Sequence, residues 1–281
     1  MIYIGLTGWG DHDSLYSPQV SPRDKLKDYA GFFPTVEVDA SFYAVQPKKN
    51  YEKWAGETPE SFGFVVKAYQ GMTGHNRGED PHYSDEKEMF EAFIESIEPL
   101  KASGKLRMVL CQFPPWFKCE RPHVDKLKRC REWLQDFPCA LEFRHQSWFC
   151  QEFRERTLSF MKEEGWIHTV CDEPQAGEGS VPIVPEATHP ERTLVRLHGR
   201  NKEGWNFKGE NWREVRCLYR YSEDELQEWA KRLRFLEQQS KHVDVVFNNN
   251  SGGDAADNAK QMIDILGIDY GGLAPKQLGF F

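Results

Sequence analysis

The chain has 281 residues, a size that accommodates two small domains or one large barrel, for which ~250 residues suffice. Hydrophobic residues make up 39% and charged residues 28%, which supports a sizeable core and excludes a mainly disordered chain. The net charge of −8 excludes a generic polyanion binder, so any phosphate or nucleic-acid partner has to meet a local basic patch.

Short β-rich runs alternate with longer amphipathic ones, the rhythm of repeated βα units. The first strand is expected at Tyr3–Thr7, within an apolar start from Met1 to Leu6 that lacks the basic stretch and cleavage site of an export signal. Ser21-Pro22-Arg23-Asp24 then offers a cap, a first-turn proline and an early acid before Leu26, Tyr29 and Phe33. Strands follow at Thr35–Asp39 and Phe64–Lys67. Ser84, with Asp85 and Glu86, opens a helix whose apolar stripe is Met89, Phe90, Phe93, Ile94 and Ile97. After a strand at Arg107–Gln112, Pro122 begins a helix carrying Val124, Leu127 and Leu134. Strands at Ala140–Arg144 and Ile167–Asp172 come next.

The stretch from Glu173 to Pro190, rich in Pro, Gly and Glu, is expected to be a long surface connection in place of a regular sixth helix. A seventh strand is expected at Leu194–His198. Ser222 and Glu225 form a capping box before Leu226, Trp229 and Leu233. The eighth strand, Asp244–Asn248, precedes a helix capped by Asp254, with Ala255, Ala259, Met262, Ile263 and Leu266 buried and Gly267 ending it. Eight strands close a parallel barrel, and no linker divides the chain. The expected fold is therefore a single (β/α)8 barrel domain over residues 1–281, irregular between strands six and seven.

No apolar run approaches the ~20 residues that cross a bilayer. The seven cysteines are odd in number and hold no Cys-x-x-Cys pair. Cys111, Cys139 and Cys171 fall in apolar strands, where a reduced cysteine acts as a small hydrophobe. The expectation is a reduced, cytoplasmic protein without a membrane partner.

Strand side chains alternate faces. With Val36 and Val38 turned to the helices, Glu37 and Asp39 face the barrel axis. Likewise Leu141 and Phe143 place Glu142 and Arg144 inward, and Val195 and Leu197 place Arg196 and His198 inward. Lys67 and Asp172 end the third and sixth strands, and Gln112, His145, Asn248, Asn249 and Asn250 continue the polarity into the loops. Barrel enzymes build their sites at the carboxyl ends of their strands. Glu37, Lys67, Glu142, Arg144, Asp172 and His198 are thus the candidate catalytic groups, with Glu142 or Glu37 as general acid/base. The alternative is an ion network that plugs the barrel, since buried charges have to be paired.

The run Asn248-Asn249-Asn250-Ser251-Gly252-Gly253-Asp254 leads straight into a helix, and Gly252 and Gly253 permit a backbone nest for an anion. Against that, Asp254 would repel the anion. Between Arg200 and Tyr221, Arg200, Lys202, Lys208, Arg213, Arg216 and Arg220 interleave with Trp205, Phe207, Trp212, Tyr219 and Tyr221. Stacking rings with basic groups suit nucleotides. Glu203, Glu210 and Glu214 dilute that charge, which favours a loop covering the pocket. Trp9, Phe42, Tyr43 and Trp148 follow strands and are candidate stacking groups, with Asp39, Gln112, His145, Arg196, Asn248 and Asn249 as candidate ligand contacts.

The chain lacks a nucleophile elbow, a phosphate-gripping Lys-Ser/Thr loop, a dinucleotide fingerprint and a His-Glu-x-x-His helix. The acids and histidines could take a divalent metal, but Lys67, Arg144 and Arg196 compete for the same carboxylates, so no cofactor is required. The expected partner is a phosphate-bearing small molecule or nucleotide, turned over by hydrolysis or related acid–base chemistry. The alternatives are a non-catalytic phosphate or nucleic-acid binder and a metal-dependent phosphodiesterase.

These residues resemble the YecE-like family, also called domain of unknown function 72. The resemblance runs through Gly8-Trp9, Thr35-Val36-Glu37-Val38, Ser41-Phe42-Tyr43, Trp54, Thr58-Pro59, Phe62-Gly63-Phe64 and Lys67. It continues in Gln112-Phe113-Pro114-Pro115, Glu142-Phe143-Arg144-His145, Ser147-Trp148, Val195-Arg196-Leu197-His198-Gly199 and Phe247-Asn248-Asn249, ending with Gly253, Ala255 and Asn258-Ala259. It implies a TIM-like barrel and brings no settled activity or cofactor. Asp11-His12-Asp13 and Asp39-Ala40 depart from the commoner pattern beside the expected pocket.

Overall fold

The β-rich runs become eight parallel strands in a computed structural model that describes residues 1–76, 80, 82–250 and 252–275, the side chains of Arg213 and Glu214 excepted. The readings of Ser251, Arg213 and Glu214 therefore lie outside the described residues. The strands are β1 (Ile2–Thr7), β2 (Thr35–Val38), β3 (Gly63–Lys67), β4 (Leu106–Gln112), β5 (Cys139–Glu142), β6 (Ile167–Asp172), β7 (Arg192–Leu197) and β8 (His242–Phe247). Each pairs with its sequence neighbours, and β1 pairs with β8, so the sheet closes in strict chain order. A close backbone approach in the wall explains Gly5: a Cβ there would lie 2.1 Å from the Thr35 carbonyl oxygen.

The helices are α1 (Lys25–Tyr29), α2 (Ala40–Tyr43), α3 (Lys48–Gly56), α4 (Glu86–Ala102), α5 (Arg121–Trp133), α6 (Arg154–Glu163), α7 (Lys202–Trp205), α8 (Trp212–Arg216), α9 (Glu223–Glu237) and α10 (Asp254–Leu266). The capping box at Ser222 and Glu225 is present at α9. At α4 the cap is Asp85, whose side chain accepts from Glu88 N, while Ser84 bonds the Glu88 carboxylate. At α10 the cap is Gly253 at φ 81°, and Asp254 instead pairs with Arg220 at 2.8 Å. An acid one residue inside the helix has turned towards the nearest cation.

Between β6 and β7 the described chain forms no helix. This connection is less superficial than its composition implies. Val181 and Val184 are buried, and Thr188 accepts from His168 N and donates to Trp166 O.

Two apolar layers result. The outward face of the strands packs on the helices through residues such as Ile4, Val36, Val66, Leu141, Val195 and Val245. Inside the barrel, Val65, Met108, Leu110, Ala140, Ile167, Leu194 and Val246 form a separate apolar plug. Polar residues lie at both ends of it. At the amino-terminal end Asp244 meets Arg192 and Arg107 at 3.1 and 3.8 Å. At the carboxyl end lies a larger group of charges. No helix among the described residues is long and apolar enough to cross a membrane.

Candidate functional site

The alternation of strand faces brings Glu37 from β2, Glu142 from β5 and Arg196 from β7 to one point, all three essentially inaccessible to water. Arg196 grips Glu37 with both ends of its fork, at 2.8 and 2.6 Å, and donates from Nη1 to Glu142 at 3.1 and 2.9 Å. Arg144, two residues beyond β5, donates Nε to Glu142 Oε1 at 2.6 Å and Nη1 to Glu173 Oε2 at 2.8 Å. Its Nη2 donates to His198 Nε2 at 2.9 Å, while the Asn248 side-chain amide lies 2.8 Å from His198 Nδ1. Arg144 can only donate, so Nε2 accepts and the His198 proton sits on Nδ1, which requires the Asn248 amide to turn its oxygen to that proton.

Electrostatics follow from these contacts. Burial alone would raise Glu142, but Arg144 and Arg196 hold it well below the ordinary carboxylate range. Burial and then the two guanidiniums push His198 well below its usual value, so the ring is neutral. Burial raises Glu37 while Arg196 and Lys67 pull the other way. Glu173 is pushed up to about 7, first by burial, against Arg144 and the Val181 N–H. That value lies near neutrality.

The mouth above this network is aromatic and basic. Lys67 Nζ bonds Asp39 at 2.9 Å and sits 4.3 Å from the centre of the Phe42 ring. Phe42 meets Tyr43 and His75 edge-on, and His75 meets Trp116 in the same way. Across the loops, Trp205 of α7 carries Arg216 at 4.2 Å and Arg144 at 5.4 Å from its ring centre, with His198 6.1 Å away. Arg216 is half-buried and forms no ion pair with any described side chain, and burial and neighbouring Arg144 lower its pKa. Gln112, in register with Glu142, is half-buried and its amide forms no hydrogen bond among the described residues. Trp9 lies against Trp54 edge-on at 5.1 Å.

Several expected site residues lie elsewhere. Inward positions on β6 are Ile167, Thr169 and Cys171, so Asp172 falls outside the wall. There it takes Trp229 Nε1 of α9 at 2.6 Å and Arg200 Nε at 3.0 Å. Trp148 is a core residue, stacked 4.0 Å from Phe143 and donating to Phe117 O. His145 caps the short turn Gln146–Phe149, accepting from Ser147 N. Asn249 donates to Tyr219 O and Asn258 Oδ1, tying the Tyr219–Tyr221 stretch to α10. Gly252 packs at the Leu218 side chain, and the helix that follows Gly253 has Asp254 and Asp257 in its first turn, which oppose an anion there.

The sequence reading left out three members of the cluster. Glu173 sits one residue past β6, at the start of the expected surface connection. Cys171 reads as hydrophobic, yet its thiol, with Glu142 and His198, forms a trio whose donor atoms all lie within 4.8 Å of one another. Counting strand parity from Ile167 would have found it. Burial, then Glu142 and Glu173, hold that thiol well above its ordinary pKa, so it stays protonated. A cation in this trio would displace Arg144 and Arg196 from Glu142, so the donor set does not suit a metal. His75, beside the ring chain, is the third. Two surface cavities, about 520 and 350 Å³, lie away from the cluster, one against α9 and α10 and one at the amino-terminal end of the barrel. Neither gathers the buried charges, and the amino-terminal end of such barrels serves stability.

Comparison with known proteins agrees with this architecture. The family model described as "Protein of unknown function DUF72" matches residues 3–278. The chain is 62% identical to the UPF0759 protein YunF of Bacillus subtilis (strain 168), with all of both chains covered. A DUF72 family protein of Enterococcus faecalis V583 superposes with a TM-score of 0.92 at 41% identity, over 99% of this chain and 100% of that one. Another from Thermotoga maritima MSB8 gives 0.82 at 33%, over 95% and 100%. A barrel closed in chain order, matched along its length by family model, relative and solved structures alike, makes this chain a member of the DUF72 family.

Proposed function

We propose that the carboxyl end of the barrel is an enzyme site for a small phosphate-bearing molecule, acting by hydrolysis or related acid–base chemistry. One observation carries this reading: Arg216 is drawn half out of water onto Trp205, beside a second guanidinium, with no described carboxylate within ion-pair distance and Glu173 and Glu142 acting on it only from further away. An anion supplied from outside relieves both the desolvation and the like-charge repulsion. Lys67 and Arg144 are already paired, with Asp39 and with Glu142 and Glu173, so the anion contact falls to Arg216.

The roles follow from protonation state. Glu142 is clamped by two arginines and acts as a fixed negative platform that orients them, rather than as the proton carrier. Glu173, near its own pKa at neutral pH, is the general acid/base, coupled through Arg144 to neutral His198. Arg196 and Glu37 hold this platform rigid. The scheme needs no cofactor. Cysteines buried in apolar strands, as Cys111, Cys139 and Cys171 are, suit a reducing compartment, and a cytoplasmic location is part of this proposal.

Calorimetric titration with inorganic phosphate at low salt tests the anion contact. The parent is expected to bind, and Arg216→Gln to bind roughly tenfold more weakly, ~1.4 kcal/mol. No heat from the parent, or equal affinity in the variant, removes the reading. Turnover of a panel of phosphate esters, lost in Glu173→Gln with phosphate affinity kept, separates an enzyme from a binding module.

A further inference from the structure

We infer that the amino-terminal end of the barrel holds a second site, independent of the anion contact at Arg216, for a small zwitterion of the free α-amino acid class. The argument begins with Arg107, near the start of β4. Its side chain lies across Gly63 of β3, where a Cβ would come 1.9 Å from Nε, and its guanidinium carbon sits 3.8 Å from the centre of the Tyr3 ring. Held between these surfaces, Nε stands 3.8 Å from Asp244 Oδ1, inside ion-pair reach but too far for a hydrogen bond. Asp244 Oδ1 has no hydrogen-bond partner among the described residues. Arg107 is buried, yet its fork donates to no described residue. A buried guanidinium ordinarily has its donors filled.

Charge counting supplies the polarity of the ligand. Asp244 is wholly buried and serves both Arg107 and Arg192, at 3.8 and 3.1 Å, so one carboxylate faces two guanidiniums. The inner end of the site therefore keeps one positive charge. Both arginines line a cavity of about 350 Å³, together with Glu60 and Asp269, which are exposed and form no ion pair with a described residue. The Met1 ammonium on the same wall is already met by Glu237 at 3.1 Å. Tyr3 and Tyr270 add flat sides, and the Tyr270 hydroxyl is fixed by Ile4 N and Ile2 O. This volume far exceeds the ~30 Å³ share of one water and lies within the ~300–1,000 Å³ of ligand pockets. A positive inner end and a negative rim select a molecule with a carboxylate at one end and an ammonium at the other. The Arg107 fork takes a carboxylate through parallel hydrogen bonds, while the rim acids repel a dianion and the inner arginines repel a bare amine. The structural role of this end accounts for the Asp244–Arg192 pair, and leaves the empty Arg107 fork and the two rim acids without a purpose.

Calorimetry with the standard amino acids, one at a time, tests the site. At least one is expected to bind with a Kd below ~1 mM, and its decarboxylated amine and its amine-free carboxylic acid to bind at least about tenfold more weakly. Arg107→Lys keeps the charge, loses the fork, and should weaken that amino acid about tenfold. Because Arg107 is buried, the double variant Glu60→Gln, Asp269→Asn is the second probe. Both positions are exposed, so it should melt like the parent, and it should weaken the amino acid but not the amine-free acid. Arg216→Gln should leave this binding intact, which separates it from the phosphate contact. If no amino acid binds, the site falls and the reading of Arg216 stands. An amine-free acid that binds as tightly as the amino acid overturns the zwitterion. Equal affinity in both Arg107→Lys and the rim variant, or loss in Arg216→Gln, moves the ligand elsewhere and overturns the site as well.

Discussion

Arg144 shows how much one side chain decides in a closed interior. It touches Glu142, Glu173 and His198 at once and lowers the pKa of each. At Glu173 burial outweighs it, and that outcome can be measured. A carboxyl raised from 4.5 to about 7 takes up a proton on folding, so its contribution lowers stability as pH climbs from about 4.5 to about 7, and stays constant above. Glu173→Gln removes that slope. In urea unfolding, the variant should gain on the parent between about pH 5 and about pH 8; a difference that does not change with pH would mean Glu173 does not titrate there. Glu37, Glu142 and Arg196 were legible in the sequence because each sits between two apolar residues that face the helices. Asp172 misled because it ends its strand in the opposite parity, and Cys171 was hidden by its apolar chemistry.

At the level of elements, the connection from Glu173 to Pro190 does the work of a missing helix. It buries Val181 and Val184, offers Val184 O to the His168 ring of β6, and is pinned by Thr188, whose hydroxyl serves both His168 N and Trp166 O. Glu173 anchors its start by accepting from Val181 N. Thr188→Val keeps the shape and leaves two buried backbone groups unpaired, an expected loss of ~1–3 kcal/mol by chemical denaturation. A loss near zero would show that the segment is held by burial alone. Composition predicted that no helix forms here, since Pro and Gly interrupt every helical period. It gave no sign of the pinning, which depends on backbone groups of β6 that any sequence would present. The cap of α9 was legible as a local pattern, whereas Asp254 of α10 was drawn off by Arg220, a residue remote in sequence.

Across the whole molecule, the charge network joins β2, β5 and β7 through the barrel axis, so it acts as a cross-brace as well as a site. Arg196→Met leaves Glu37 buried without its main partner, removes one of the two arginines on Glu142, and should cost ~3–5 kcal/mol in urea unfolding. Adding Glu37→Leu should restore part of that loss, because the second uncompensated charge goes too. A double variant that is worse than the single would show that Glu37 has another buried partner of equal weight. The sequence by itself determined the eight strands, their order and the inward direction of most charges, because period and polarity are local properties that each strand carries alone. Tertiary structure alone decided which charges meet, which of them stay ionised and which aromatic rings reach the mouth. Those outcomes depend on distances between strands far apart in the chain, and on burial that exists only once the barrel has closed.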